Sequence, residues 1–308
     1  MPADRASLCA QLFAEASRDG VASHGLNRFP RFMRMVARGL VDIHASPERV
    51  AAAGAFERWD GRLGPGNLNA HACMTRAIGL ARDHGIGCVA LGNTNHWMRG
   101  GGYGWQAADA GMAALCWSNT LPNLPPWGAS QPRIGNNPLV VAVPRARGHV
   151  VVDMAMSQFS VGGLTSYASR GEPLPVDGGY DAKGQLTQDA RAILESGRLL
   201  PIGFWKGSGL SIVLDVIAAM MSGGRPTHEI ARNPEEEIAL SQVFITLNPR
   251  SISSVQELDR IADAVVEQVR GGDHGVRYPG EHTLQVRERS LSEGVEVDEA
   301  IWTQVRVM

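Results

Sequence analysis

Gly85-Ile86-Gly87-Cys88-Val89-Ala90-Leu91 is the stretch on which the fold turns. Its glycine spacing is that of a dinucleotide-binding turn, but such a turn follows its strand and opens a helix. Here the glycines come before the apolar run, so the segment reads as a turn leading into a short buried strand at 88–91. Upstream, residues 69–84 repeat apolar side chains at helical spacing and stop at Gly85, which makes a helix-to-strand unit. Further back, Leu8, Leu12, Phe13 and Ala16 mark an amphipathic helix over 8–17 that breaks at Asp19-Gly20. Downstream, apolar runs at 112–117 and 139–143 read as strands joined by a loop holding Pro122, Pro125, Pro126, Gly128 and Pro132. A strand at 150–154, a helix at 161–169, a Gly/Pro/Asp-rich loop at 171–184 and a helix at 208–221 follow. A strand at 243–247, a helix at 255–270, the turn Tyr278-Pro279-Gly280-Glu281-His282 and a polar helix complete the chain. Alternating strands and helices without internal repeats predict an α/β (α+β) core.

The 308 residues, 44% of them hydrophobic and 19% charged, suffice for one large core or two smaller ones. A formal net charge of -2 with scattered Lys and Arg leaves no basic stripe for phosphates, so no nucleic-acid partner is expected. Cys9, Cys73, Cys88 and Cys116 are widely spaced and form no C-x-x-C pair, which fits reduced thiols in a cytoplasmic protein. The first residues carry no cationic region followed by an apolar core, and the most apolar helical run is cut by Asp215, so no secretion signal and no membrane span are expected.

Four constellations could carry chemistry. In Ser23-His24-Gly25-Leu26-Asn27-Arg28, an imidazole that titrates near neutrality and a carboxylate-gripping guanidinium stand four residues apart, which suits a 2-oxo acid. The same residues also fit a capping serine beside a surface arginine. Asn93-Thr94-Asn95-His96-Trp97-Met98-Arg99-Gly100-Gly101-Gly102-Tyr103-Gly104-Trp105 follows the 88–91 strand, where α/β proteins place ligand loops, and its glycines predict close backbone approach to a ligand. A lone histidine there also fits a hydrogen-bonded structural residue. Val152-Asp153-Met154-Ala155-Met156-Ser157 puts an aspartate at a strand end, able to cap a helix, hold a ribose or orient the catalytic histidine. Trp205-Lys206-Gly207-Ser208-Gly209 puts a cation and glycines at a helix N-terminus, which favours an anion. His24, His44, His71, His84 and His96 have no metal-ligand spacing, so no metal is expected, and there is no G-x-S-x-G elbow.

Taken in order, Ser23-His24-Gly25 through Arg28-Phe29-Pro30, Asn95-His96-Trp97-Met98-Arg99-Gly100-Gly101, Pro125-Pro126-Trp127-Gly128-Ala129, Asn137-Pro138, Val152-Asp153-Met154, Trp205 to Gly209 and Pro279-Gly280-Glu281 resemble the malate/L-lactate dehydrogenase-like family over essentially the whole chain. The resemblance implies a nicotinamide-binding fold unrelated to the Rossmann fold. It implies a mainly helical part (about 1–65, 155–225 and 285–308) packed on a mixed-sheet α+β part (about 66–154 and 226–284), and a homodimer. It further implies NADH, or NADPH, reducing a 2-oxo acid. His24 would be the proton donor, Arg28 the carboxylate clamp, and Asp153 and His96 the residues that orient the reacting groups. Arg28, Asn95, His96 and Asn137 would touch substrate. Asp153, Met154, Ala155, Met156, Ser157, Trp205, Lys206, Gly207, Gly280, Glu281 and His282 would touch the dinucleotide.

The wording of 96–101 and 205–209 resembles a branch acting on a sugar-derived 2-oxo acid more than the malate, lactate or ureidoglycolate branches. Two departures stand out: the family usually has a further helix before the one at 8–17, and it commonly has Gly-Thr-Asn-Pro where this chain has Gly135-Asn136-Asn137-Pro138. Other readings are a sister activity on oxaloacetate, pyruvate, a cyclic imine acid or ureidoglycolate, a metal-dependent hydrolase or lyase built on His24, His96 and Asp153, and a binding protein without catalysis.

Overall fold

The computed structural model describes residues 1–271 and 275–308. Helix α1 (Ala3–Arg18) leads through 3-10 turns at Ala22–His24 and Leu26–Arg28 into α2 (Phe29–Ala37). A hairpin, β1 (Glu48–Ala53) and β2 (Phe56–Asp60), precedes α3 (Gly66–His84), β3 (Ile86–Thr94), α4 (Gly101–Asp109), β4 (Ala113–Ser118), β5 (Leu139–Val143) and β6 (Val150–Met154). Then come α5 (Val161–Arg170), β7 (Gly179–Tyr180), β8 (Leu186–Thr187), α6 (Ala190–Ser196), β9 (Arg198–Leu199) and α7 (Trp205–Ser222). The chain closes with β10 (Leu240–Leu247), α8 (Val255–Arg270), α9 (Glu281–Glu293) and α10 (Glu299–Arg306).

Seven strands form one mixed sheet in the order β1-β2-β3-β10-β4-β5-β6, and β8-β7-β9 form a small second sheet. Among the described residues of the main sheet, β2 and β3 run parallel while the other neighbours are antiparallel, so this is not a doubly wound dinucleotide fold. Period-two alternation explains the continuous apolar run at 88–91. Val89 and Leu91 enter the core shared with α3 and α4, whereas Cys88 and Ala90 face the core shared with α7. Helices therefore cover both faces of the sheet, and a third cluster of Phe13, Phe32, Met35, Leu68 and Met98 joins α1 and α2 to the start of α3 and the loop after β3.

Three local expectations change. The hairpin at 48–60, assigned to the helical part, is the edge of the main sheet, because it pairs with β3. The loop expected at 171–184 contains β7. The glycines after β3 open α4, and their closeness is to the protein itself. A Cβ at Gly100 would lie 2.7 Å from Trp97 Cζ2, one at Gly101 2.7 Å from Asp153 Oδ2, and one at Gly104 2.7 Å from Val140 Cγ1. Among the described residues no helix is long and apolar enough to cross a membrane. All four cysteines are free.

Candidate active site

His24 stands where it does because the turn carrying it is pressed onto α1. A Cβ at Gly25 would lie 2.2 Å from Ser17 Oγ, so only glycine fits, and Ser17 Oγ accepts the Leu26 N–H at 2.8 Å. His96 leaves β3 on a loop where Met98 adopts φ 64, folding the Met98 N–H back to donate to His96 Nδ1 at 2.9 Å. That bond leaves the proton of a neutral His96 on Nε2. The two imidazoles stack with ring centroids 5.7 Å apart and an interplanar angle of 17°.

Asp153, near the end of β6, accepts the Gly101 N–H at 2.8 Å on Oδ2, at the N-terminus of α4 where the helix dipole favours a negative charge. Pro279 O accepts the Val151 N–H at 3.0 Å, which stitches Gly280, left-handed at φ 94, against β6. His24, His96, Asp153, Ala155 and Gly280 thus line one cleft of about 520 Å³, with Arg99, Thr120, Asn136 and Trp105 beside them.

The electrostatics of the cleft follow from burial and arginines. Burial, then the Arg28 and Arg99 guanidiniums, lower His24 from the ordinary 6.5 to about 4. Burial likewise holds His96 well below its usual range, with Arg28, His24 and Arg31 adding to it. Asp153 opens onto the cleft but is walled in by protein, and that desolvation raises its carboxyl, partly offset by the Gly101 bond and by Arg99. Arg28 is lowered to about 10, chiefly by burial and then by neighbouring Arg31. Its nearest carboxylate, Glu237, is 3.8 Å away and is shared with Arg31, also at 3.8 Å. Arg99 reaches Asp19, which Arg287 also grips at 2.6 Å.

Not every expected contact faces the cleft. Asn137 is 0% exposed and its amide is fully spent, Oδ1 on the Thr120 N–H at 3.0 Å and Nδ2 on Ser211 O at 2.9 Å. Asn95 is 2% exposed and donates to Leu63 O at 2.6 Å and Gly64 O at 3.1 Å. Both asparagines hold the loops that build the cleft, so the structure corrects their assignment to substrate contact. Met156 and Ser157 are buried, and Met154 packs against the core shared with α7. Gly207 is pressed onto Ile202, where a Cβ would lie 2.3 Å from the carbonyl oxygen. Trp205 and Lys206 sit exposed at the start of α7, His282 is exposed on α9, and Glu281 pairs with Arg270 and accepts the Tyr278 N–H at 3.3 Å. Sequence reasoning passed over Thr120, Asn136, Arg99 and Trp105 as cleft residues. Arg99, Trp105 and Asn136 lay in stretches already singled out, and nothing local marked Thr120. Among the described residues no group of three His, Cys, Asp or Glu side chains is gathered as a metal ion requires.

A mixed sheet covered by helices, with two stacked imidazoles and a carboxylate on one cleft, defines a class, and the comparisons agree with it. The chain belongs to the malate/L-lactate dehydrogenase family, whose model matches residues 1–306, and it is an oxidoreductase of that family. Among individual proteins it is similar to the 2,3-diketo-L-gulonate reductase of Salmonella typhi, at 44% identity over 99% of this chain and 93% of that protein. Among solved structures it is similar to delta1-piperideine-2-carboxylate reductase from Pseudomonas syringae pvar. tomato, with TM-score 0.90 and 31% identity over 100% of this chain and 93% of that one. It is also similar to the sulfolactate dehydrogenase of Methanocaldococcus jannaschii, with TM-score 0.91 and 27% identity over 99% and 90%. Membership implies a nicotinamide cofactor. The cleft fits the nicotinamide end of one: Trp105 and Val151 give apolar wall, and Asp153 Oδ1 has no partner among the described residues.

Proposed function

We propose that the chain reduces the keto group of a 2-oxo acid with NADH, the preferred substrate being 2,3-diketo-L-gulonate. The observation that carries this reading is the meeting of His24, His96 and Asp153 on one cleft. When bound, the nicotinamide cofactor supplies a hydride to the keto carbon. The protein's part is the proton and the positioning. Ser23 Oγ engages His24 Nδ1 at 3.2 Å, which leaves Nε2 to give a proton to the keto oxygen, so that ketone, hydride and proton become an alcohol and a neutral imidazole. Arg28, held only loosely by Glu237, keeps guanidinium donors for the substrate carboxylate. That carboxylate would offset the push of Arg28 on His24 and raise the imidazole toward the protonated form the reduction needs. His96 Nε2–H and Asp153 hold the reacting groups in line.

The same reading makes the protein a homodimer through α7. Its buried side is largely small, with Gly207, Ser208, Ser211 and Ala218, while Val213, Val216 and Met220 face outward, Met220 at 76% exposure. A helix with its larger apolar residues outside is a face made for a partner. Four free cysteines suit a reducing cytoplasm.

The test follows NADH absorbance with 2,3-diketo-L-gulonate, oxaloacetate, pyruvate and a cyclic imine acid, repeated with NADPH. Oxidation with the diketo acid, and a loss on the order of a hundredfold or more in kcat for His24→Ala with little change in Tm, is the expected result. Turnover of another acid alone would move the substrate. An undiminished His24→Ala would remove the proton donor.

A further inference from the structure

Asn136 is half-buried on the cleft wall, and its neighbours settle which end of its amide faces the ligand. The Asn136 backbone N–H donates to Asn123 Oδ1 at 2.9 Å, which fixes Asn123 with its Nδ2 on the other side. That Nδ2 donates to Asn136 Oδ1 at 3.2 Å, and the Thr120 hydroxyl donates to the same oxygen at 3.0 Å. With two donors on Oδ1, the orientation of Asn136 is locked, and among the described residues no protein atom accepts from its Nδ2. The Nδ2 end is therefore the unspent donor of a cleft-lining side chain that cannot turn away without losing two hydrogen bonds.

We infer that Asn136 is a specificity-determining residue whose side-chain N–H donates to an oxygen on the carbon next to the reacting keto group. The inference rests on the proposed reduction of a 2-oxo acid. In that reading His24 serves the keto oxygen and Arg28 the carboxylate, so the Asn136 donor is spare and matches a third acceptor. A 2-oxo acid bearing a carbonyl or hydroxyl at C3 supplies that acceptor; pyruvate does not. A donor left facing a methyl group stays unsatisfied in a partly desolvated cleft, which is the larger source of discrimination.

The experiment uses the full chain with NADH, comparing the wild type with Asn136→Asp and Asn136→Ala on 2,3-diketo-L-gulonate, hydroxypyruvate and pyruvate. Asn136→Asp keeps an acceptor for Thr120 and Asn123 but loses the N–H, and its added charge acts on every substrate carboxylate alike, so the ratio between substrates isolates the hydrogen bond. Asn136→Ala removes the donor without adding a charge, and thermal melting confirms that both variants fold. The expected result is a fall of roughly tenfold in the kcat/KM ratio of C3-oxygenated acid over pyruvate, carried mainly by KM, with the Kd of NADH unmoved. An unchanged ratio in an active, folded variant overturns the inference and leaves the reduction standing. A weakened NADH Kd with an unchanged ratio moves the contact to the cofactor and also overturns it. A wild type inert toward all three acids with NADH and with NADPH brings down the proposed reduction itself, and the inference with it.

Discussion

At the residue scale, the proposed proton chemistry rests on a histidine that burial and two arginines keep neutral. With its folded pKa near 4, His24 is ready as a base for alcohol oxidation across neutral pH, whereas reduction needs it charged. Burial is the largest cause and Arg28 the next, so neutralising Arg28 should relax His24 upward. In NMR titrations of the imidazole, Arg28→Gln should move the His24 inflection above 4, and an unreactive anion such as oxamate bound to the wild type should move it the same way. An inflection insensitive to both would detach Arg28 from His24. The pairing of His24 with Arg28 was legible from four-residue spacing alone. Asn95 and Asn137 were read as ligand contacts because amides beside glycines look alike whether they bind a ligand or a neighbouring loop, and only their burial separates the two.

At the element scale, α7 has the sharpest mismatch between composition and surroundings. Its apolar run at 208–221 was readable, although the helix starts three residues earlier at Trp205, but periodicity could not say which side faces the protein, because small and large apolar residues alternate around the whole helix. Packing puts Gly207, Ser208 and Ser211 against neighbouring loops, Leu214 and Ala218 in the core under the sheet, and Val213, Val216 and Met220 outside. If the proposed α7 dimer holds, the wild type should sediment as a dimer and a paired Val213→Asp and Met220→Asp variant as a monomer, since a buried unpaired charge at an interface costs several kcal/mol. An unshifted dimer would assign the contact to another face. The glycines opening α4 carry a similar lesson: they let the helix approach Trp97, Asp153 and Val140, and so hold the carboxylate of Asp153 on a helix N-terminus.

At the scale of the whole molecule, acid stability follows from the groups that the fold keeps from gaining or losing protons. His24 and His96 have folded pKa values below 6.5, so the unfolded chain binds more protons below that pH and stability falls as pH drops from about 6.5 toward 4. Asp19, held down by Arg287, Arg18 and Arg99 against its burial, and Glu57, held to about 2 mainly by Arg76, add losses below the ordinary carboxylate values of 3.8 and 4.5. Tm should therefore decline in two stages on acidification. Replacing His24 and His96 together by Asn should flatten the upper stage and spare the lower. An upper stage that survives the double change would place its origin elsewhere.

The sequence by itself determined the local pieces: where α3, β6 and α8 lie, that a helix covers 8–17, that Gly85-Ile86-Gly87 opens a strand, and that His24 and Arg28 stand four residues apart on one short segment. These depend on spacing and punctuation within a few residues, which act before any long-range contact forms. The tertiary structure alone decided that β10, from late in the chain, enters the sheet between β3 and β4, and that the hairpin at 48–60 joins its edge. It also decided that His96, Asp153, Asn136 and Gly280, far apart in the chain, meet His24 on one cleft. Strand partners are chosen by matching faces and burial across long loops, and a side chain becomes a donor to a ligand only when its neighbours leave it unspent. Neither condition is written within a short stretch of residues.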